Sequence, residues 1–384
     1  MIKFLFSITI SITSFISFSQ NLNLLSFGSD NALDIMTWNL ETFPKAGQNT
    51  MDSISKIVLA LDMDVIAVQE IDDTSAFSNM MLGINGYDGF ARLNYLVGLG
   101  FIYKTATVQI NDLYEIYTAP QYWNNFPRAP IVMDMNFMNQ RYILIVNHLK
   151  CCGDGIIDLG NTNDEENRRL EAMNLLKNYI DLHFSNVKTI LLGDLNDEIT
   201  DPLNTNVFSQ IINDPAHYSF ADSSIAYGTA ANWSYPTWPS HLDHLIVSDE
   251  LFYDLNHGGS FVQTLKPEQY ISNGWPSYEL LISDHRPVAM KIFPTEVLQT
   301  NEITFPETSL AIFPNPSNGK VSFICSCMEP NLNLSIYTSN GQLVFSEQMS
   351  SNTIWNTENV KPGVYFVTLY GNNEIIERKK LLLF

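Results

Sequence analysis

The sequence of 384 residues predicts an α/β domain built on mixed sheets, followed by a small all-β domain. Three observations lead there. Between residues 33 and 293, apolar runs of strand length alternate with amphipathic helical stretches. Some neighbouring strands are joined through a helix and others by a tight turn, so parallel and antiparallel pairs must share a sheet. Beyond a linker at 294–308, the composition changes to short alternating strands separated by turn residues.

The elements follow in order. Residues 1–19 carry the marks of an export signal. Lys3 is positive, Phe4 to Ile16 is apolar, and Ser17-Phe18-Ser19 offers a small-x-small cleavage site before Gln20. The competing reading, a membrane anchor, needs the ~20 apolar residues that span a bilayer, and this run is shorter. No later stretch is long and apolar enough to cross. Leu33–Trp38 reads as a strand. Met51–Leu61 reads as a helix with Ile54, Ile57, Val58 and Leu61 on one face, and Asp64–Gln69 as the next strand, which makes a crossover unit. Pro130–Phe137 and Tyr142–His148 form a strand pair turning at Asn139-Gln140. Glu165–Phe184 is a long helix with Leu170, Met173, Leu176 and Ile180 along it. Thr189–Leu192 and Leu242–Val247 are buried-type strands, and Val288–Phe293 closes a domain at 28–293. The last domain, 309–384, carries PNPSNG (Pro314–Gly319), IYTSNGQLVF and PGVYFVTLY, the pattern of an antiparallel β-sandwich.

Composition narrows the function. Hydrophobic residues make up 45%, which permits a large core. The formal charge is −21, and residues 28–299 hold −20 of it. That excludes a simple high-affinity duplex binder, because phosphate contacts demand a basic surface. It does not exclude a metalloenzyme, whose cations supply positive charge at the site. Cys151, Cys152, Cys325 and Cys327 allow three pairings, and no C-x-x-C pair marks a zinc site.

Chemistry concentrates in polar clusters at strand ends: TWNLE (Thr37–Glu41), VQE (Val68–Glu70), NHLK (Asn147–Lys150), GDLND (Gly193–Asp197), HLDH (His241–His244) and SDHRPV (Ser283–Val288). Carboxylates, amides and histidines without a thiol describe a hard-metal site that hydrolyses a charged ester. Glu70 ends an apolar strand, as a metal-binding carboxylate or as a solvated acid. Asn39 is a neutral ligand or a turn residue. Asp194 and Asn196 flank Leu195, so in an extended segment both point to one face, where an acid and an amide orient a water at a phosphate. Asp197 reads as a turn or cap. His148 at a strand end is structural or touches substrate. Asp284 and His285 are adjacent and face different ways, acid to metal and imidazole to substrate, with Asp243 holding the imidazolium. His241 and His244 read as packing residues. Asp158, Asn161, Asn163 and Asp164 form an acidic loop that either holds calcium or caps the long helix. The aromatics of Trp233–Trp238 pack at the rim, stack on bases or lie against lipid.

The order TWNLE, QE, RAP, NHLK, GDLND, HLDH, SDHRPV resembles the endonuclease/exonuclease/phosphatase family over Leu33 to Phe293. The pair GDLND and SDHRPV is its specific part. The resemblance implies a four-layer sandwich of two mixed β-sheets flanked by helices, with the site at one rim. It implies metal positions at Asn39, Glu70 and Asp284. It places His285 at the scissile phosphate with Asp243 as its partner, Asp194 on the nucleophilic water and Asn196 at the phosphate. His148 and Arg128, the latter in RAP, match phosphate contacts, although a surface ion pair is the plainer role for Arg128. Whether Asp194 or His285 is the base stays open. The cofactor expected is Mg2+, with Mn2+ or Ca2+ as alternatives. The tail resembles the type A sorting domain of the type IX secretion system of Bacteroidota, although KKLLLF lacks the usual final lysine. The expectation is a monomeric, secreted or surface-attached phosphodiesterase. Its substrate is nucleic acid, and its C-terminal domain engages outer-membrane secretion machinery. A sphingomyelinase-like lipid hydrolase and an inactive surface binding protein are the alternatives.

Overall fold

The computed structural model describes residues 22–93, 97–256, 259–295, 310–325, 332–349, 352–371 and 374–384. The export-signal segment and nearly all of the linker lie outside them. The chain divides into two compact units, Met1–Thr295 and Glu296–Phe384.

Among the described residues, the first unit begins with strands β1 (Leu33–Phe43), β2 (Val65–Ile71), β3 (Tyr87–Arg92), β4 (Gly98–Lys104), β5 (Val108–Glu115) and β6 (Ile131–Phe137). It continues with β7 (Gln140–His148), β8 (Lys188–Asp194), β9 (Tyr218–Phe220), β10 (Asp243–Ser248), β11 (Phe261–Thr264) and β12 (Val288–Ile292). Its longest helices are α1 (Gln48–Leu61), α2 (Thr74–Met81) and α3 (Glu165–His183). The strands form two six-stranded mixed sheets, ordered β11-β12-β1-β2-β4-β3 and β5-β6-β7-β8-β10-β9. Each sheet contains one parallel pair, β1 with β2 and β7 with β8, and α1 and α3 are the crossovers.

Side-chain alternation explains the layers. In β7, Tyr142, Leu144 and Val146 enter the cluster between the sheets, where they join Leu33 and Ile35 of β1. The intervening Ile143 and Ile145 pack under α3 with Met173, Leu176 and Ile180. On the other sheet, Met36, Trp38 and Leu40 meet Ile54, Ile57, Val58 and Leu61 of α1. Three apolar interfaces separate four layers, so both sheets are buried on both faces and read as nearly continuous apolar runs.

Several boundaries differ from the sequence reading. The first strand runs five residues past Trp38, through a register shift against β2 between Asn39 and Phe43. The β6–β7 turn sits at Met138-Asn139, both at positive φ, one residue before the expected place. Strands β3 to β5, β9 and β11 and helix α2 had no clear periodic signal, because most are short or half-exposed.

The second unit has β13 (Leu310–Phe313), β14 (Lys320–Cys325), β15 (Asn333–Thr338), β16 (Leu343–Gln348), β17 (Asn352–Asn356), β18 (Gly363–Gly371) and β19 (Glu374–Leu383). They make two antiparallel sheets, β13-β14-β17 and β16-β15-β18-β19, around Val321, Phe323, Leu334, Ile336, Val367 and Leu369. Cys325 is disulfide-bonded, whereas Cys151 and Cys152 are free thiols.

Gly193 fixes the pairing of β7 with β8. Its φ is 147°, and a Cβ there would sit 1.8 Å from the Asn147 carbonyl oxygen. Gly86 has φ 86° with open space around it. Gly193→Ala is therefore expected to cost at least ~2 kcal/mol more than Gly86→Ala in urea denaturation, since overpacking adds to backbone strain. Equal costs would mean that the close approach carries no weight.

Candidate active site

Strand register gathers the polar clusters at one rim. The parallel strands β7 and β8 end together, with His148 opposite Asp194. Because β10 runs antiparallel to β8, its first residue, Asp243, lies opposite Asp194 as well. His148, Asp194 and Asp243 thus form one row across three strands. In the other sheet Asn39 lies opposite Gln69, next to Glu70, and β12 starts at Val288 opposite Thr37, so Asp284 and His285 stand just beyond the same edge.

The side chains then meet across the two sheets. Asn39 Nδ2 donates to Asp194 Oδ2 at 2.9 Å and to Glu70 Oε1 at 3.3 Å. Asp194 Oδ2 also lies 3.5 Å from His148 Nε2 and 3.7 Å from His285 Nε2. His285 Nδ1 bonds Asp243 Oδ2 at 2.7 Å, and its Nε2 is 3.9 Å from Asp284 Oδ1. Glu70 Oε1 is 4.0 Å from His148 Nε2. Glu70 and Asp284, far apart in sequence, thus each approach a histidine that flanks Asp194. The backbone bends to allow it: Glu41, Thr42, Glu70 and Asn196 all have positive φ. Irregular backbone of this kind re-aims side chains at a sheet edge.

Burial sets the charges. Asp194 is buried, which raises its pKa, and the neighbouring Asp243 and Glu70 raise it further against the His285 charge and the Asn39 hydrogen bond. Burial would lower His285, but the Asp243 and Asp194 carboxylates outweigh it and hold the ring as an imidazolium. His148 goes the other way. Burial, then the charges of Arg128 and His285, push it well below the usual histidine range, so it is neutral. Asp284 is raised to about 6 by burial and by the like charges of Glu41 and Glu70, against His285 and Lys45. Several buried polar atoms here have no hydrogen-bond partner among the described residues: Arg128 Nε, His148 Nδ1, Asp243 Oδ1 and both side-chain atoms of Asn147. Such clustering is characteristic of places where a ligand belongs.

The Endonuclease/Exonuclease/phosphatase family model matches residues 36–285, about two thirds of the chain. The chain belongs to this family. Solved structures share its fold. D. rerio TDP2 complexed with a single-strand DNA product matches with 13% identity and a TM-score of 0.53, covering 68% of this chain and 99% of that one. A humanised D. rerio TDP2 matches with 12% identity and a TM-score of 0.51 at the same coverage. The Bacteroides thetaiotaomicron mannosyl-6-phosphatase Bt3783 matches with 16% identity and a TM-score of 0.46, covering 68% and 99%. No curated protein matches the chain. Residues 311–383 match a secretion system C-terminal sorting domain. The second unit is such a domain, of the type IX kind, and directs the chain to the cell surface or the extracellular space. Among the described residues no helix is long and apolar enough to cross a membrane.

For this family member, some details depart from the sequence reading. Residues 194–196 are not extended: Asn196 is left-handed, its N–H donates to Asp194 Oδ1 at 3.0 Å, and its Nδ2 donates to the Leu149 carbonyl at 3.1 Å. Arg128 is not a surface ion pair. It is 8% exposed, aimed inward with Nη1 3.4 Å from the Leu149 carbonyl. Asp197 does more than turn the chain, because its Oδ2 receives Arg169 Nε at 2.8 Å. His241 and His244 do not merely pack. Both bond Asp222 Oδ2, at 3.0 and 2.6 Å, and His244 Nε2 donates to the Asp197 carbonyl at 2.9 Å.

Sequence reasoning missed Asp222, Arg169, Ser283 and Tyr278. Ser283 Oγ donates to the Asn39 carbonyl at 2.6 Å and accepts the His285 N–H at 2.9 Å, which ties the two site segments together. Tyr278 accepts from Trp38 Nε1 at 2.9 Å and donates to the His285 carbonyl at 2.7 Å. Ser283 was legible as the first letter of SDH; Asp222 had no motif around it.

The Asp222–His244 pair makes a stability prediction. Burial opposes both charges, yet each partner's charge prevails, so Asp222 is held below its usual value and His244 above it. The pair's contribution is complete between the unfolded-state values of ~3.9 and ~6.5. It declines as pH falls through Asp222's depressed value, or rises through His244's raised one. Asp222→Asn is expected to lose about 3–5 kcal/mol in urea denaturation near pH 6, and less at alkaline pH. A loss that does not vary with pH would contradict the charged pair.

Proposed function

We propose that the first unit is a divalent-metal-dependent phosphodiesterase and that it hydrolyses extracellular DNA or RNA. The observation that carries this reading is the buried carboxylate of Asp194, contacted by Asn39 from one sheet and flanked by a neutral and a charged histidine. Opposed protonation states on neighbouring histidines provide both a donor and an uncharged partner at one phosphorus centre.

Glu70, Asp284 and Asn39 would hold the cation, which is Mg2+ in this reading, with Mn2+ or Ca2+ able to replace it. They fit it: Glu70 and Asp284 offer carboxylate oxygens, the Asn39 amide oxygen also accepts the Glu41 N–H at 2.9 Å, and the burial and like charges of Glu41 and Glu70 that raise Asp284 are what a cation relieves. When bound, it grips a phosphoryl oxygen and offsets developing negative charge. The protein's own groups do the rest. Asp194 orients the attacking water and takes its proton, because His285 already carries one. His285, held by Asp243, donates from Nε2 to a phosphoryl oxygen. Asn196 spends one amide hydrogen on Leu149 and keeps the second for phosphate. Arg128 supplies a guanidinium to the phosphate, and His148 contacts the leaving-group side, where the P–O ester bond breaks and the departing oxygen takes its proton from solvent.

A nucleic-acid substrate is supported by one exposed indole. Tyr235 to Ser240 forms a small hairpin whose Tyr235 ring lies 4.8 Å from that of His285. Trp238 near its tip is 77% exposed. An indole there can stack on a base, a contact worth ~1–3 kcal/mol.

The purified full-length chain, given plasmid DNA, RNA and sphingomyelin with and without chelator, should cleave a nucleic acid only when a divalent ion is present. Asp194→Ala and His285→Ala should each lower turnover at least ~10²-fold. Trp238→Ala should raise KM for single strands with little change in kcat. Sphingomyelin turnover with untouched DNA and RNA would overturn the substrate, and full activity in both alanine variants would overturn the roles.

A further inference from the structure

The loop between β7 and α3 carries negative charge that the active-site rim does not use. One carboxylate oxygen each from Asp154, Asp164 and Glu166 lies within 4.8 Å of the other two. Acidic clusters on a surface are common, but this one contains a buried member. Glu166 is 2% exposed. Its Oε1 accepts the Gly155 N–H at 2.6 Å and stands 3.4 Å from Arg169 Nη2. Its Oε2 is buried with no partner among the described residues. A buried carboxylate oxygen without a donor is costly, and a cation is the group that satisfies it.

Arg169 offsets only part of the cluster's charge, through the 3.4 Å approach of its Nη2 to Glu166 Oε1. It is committed to the Asp197 carboxylate and to the carbonyls of Lys150 and Cys152, at 2.8, 2.8 and 2.7 Å. The carboxylates of Glu166 and Asp197 therefore share one guanidinium. The backbone is also shaped around Glu166. Gly153 has φ 117°, and a Cβ there would lie 2.1 Å from Glu166 Oε1, so only glycine lets the loop close over the carboxylate. Asp158, Asn161 and Asn163, the other acidic-loop residues, are not in the cluster. Asp158 Oδ1 and Asn161 Oδ1 accept N–H groups two residues on, as turn-formers do.

We propose that Asp154, Asp164 and Glu166 form a structural calcium site, separate from the rim, that fastens the loop following His148 to the first turn of α3. Oxygen-only donors on an irregular loop suit calcium, which tolerates variable geometry and completes its shell with carbonyls and water. Magnesium demands a tighter octahedron. The buried cluster of Asp222 with His241 and His244 is a different case, because both histidines bond the Asp222 carboxylate, at 3.0 and 2.6 Å, and its remaining orphan atom, His241 Nδ1, is a ring nitrogen rather than a carboxylate oxygen. The calcium site also touches the catalytic segment indirectly: Arg169 links the Lys150 and Cys152 carbonyls to Asp197, three residues after Asp194. The proposal does not depend on the phosphodiesterase reading.

The test is calcium titration of the chelator-stripped full-length chain by calorimetry, with a parallel thermal unfolding series. Four proteins are compared: wild type, Glu70→Gln to remove the rim as a binding place, and Asp154→Asn and Glu166→Gln each made on the Glu70→Gln background. Wild type and Glu70→Gln should bind calcium with Kd of ~10⁻⁴–10⁻³ M and gain in Tm. Asp154→Asn, an exposed change that leaves folding intact, and Glu166→Gln should weaken binding at least ~10-fold and lose the Tm gain. Calcium binding abolished by Glu70→Gln alone, or left unchanged when Asp154→Asn or Glu166→Gln is added to it, would overturn the site. So would no uptake by wild type at about 10 mM calcium.

Discussion

One desolvated carboxylate organises this molecule. Asp194 ends a strand of the second sheet, yet it takes a hydrogen bond from Asn39 in a strand of the first. A buried anion is tolerated only where donors and opposite charge reach it with good geometry. Those donors come from both sheets, so the sheets must meet with their carboxyl-terminal edges level. The apolar layer between them, from Leu33 and Ile35 to Leu144 and Val146, sets that level. Packing energy is thereby converted into a fixed place for charge.

The groups behind the site serve the same end. Ser283 bridges the Asn39 carbonyl to the His285 N–H, and Tyr278 connects the core residue Trp38 to the His285 carbonyl. On the far side, Asp222 holds His244, and His244 holds the carbonyl of Asp197, three residues beyond Asp194. Residues that position a reacting group need their own rotamers locked, and here each lock is a buried hydrogen bond. The strained backbone at Glu41, Thr42, Glu70 and Asn196 is held by this surrounding frame.

Much of this was legible in the sequence, for a physical reason. Strands buried on both faces are continuous apolar runs, and a polar cluster ending such a run has few bland explanations. TWNLE, GDLND and SDHRPV announced themselves that way, and register alone then brings their residues to one edge. Other features left no local trace. Strands β3 and β5 alternate weakly because they lie at sheet edges with partly exposed faces. Asp222 sits in an ordinary loop, and only the fold reveals that it faces His241 and His244. The left-handed turn at Asn196 defeated the assumption of an extended segment, because Asp194 captures the Asn196 N–H within two residues. The acidic loop was noticed, but its buried member, Glu166, lies inside the helix that follows, where a glutamate reads as solvated surface.

In the proposed site, Glu70 and Asp284 would share a cation beside Asp194 at the rim. Anomalous diffraction from crystals of the full chain soaked in Mn2+ measures this directly. The expected result is a manganese peak within bonding distance of both Glu70 and Asp284. Manganese absent from that rim, or bound only by Asp222, His241 and His244, would contradict it.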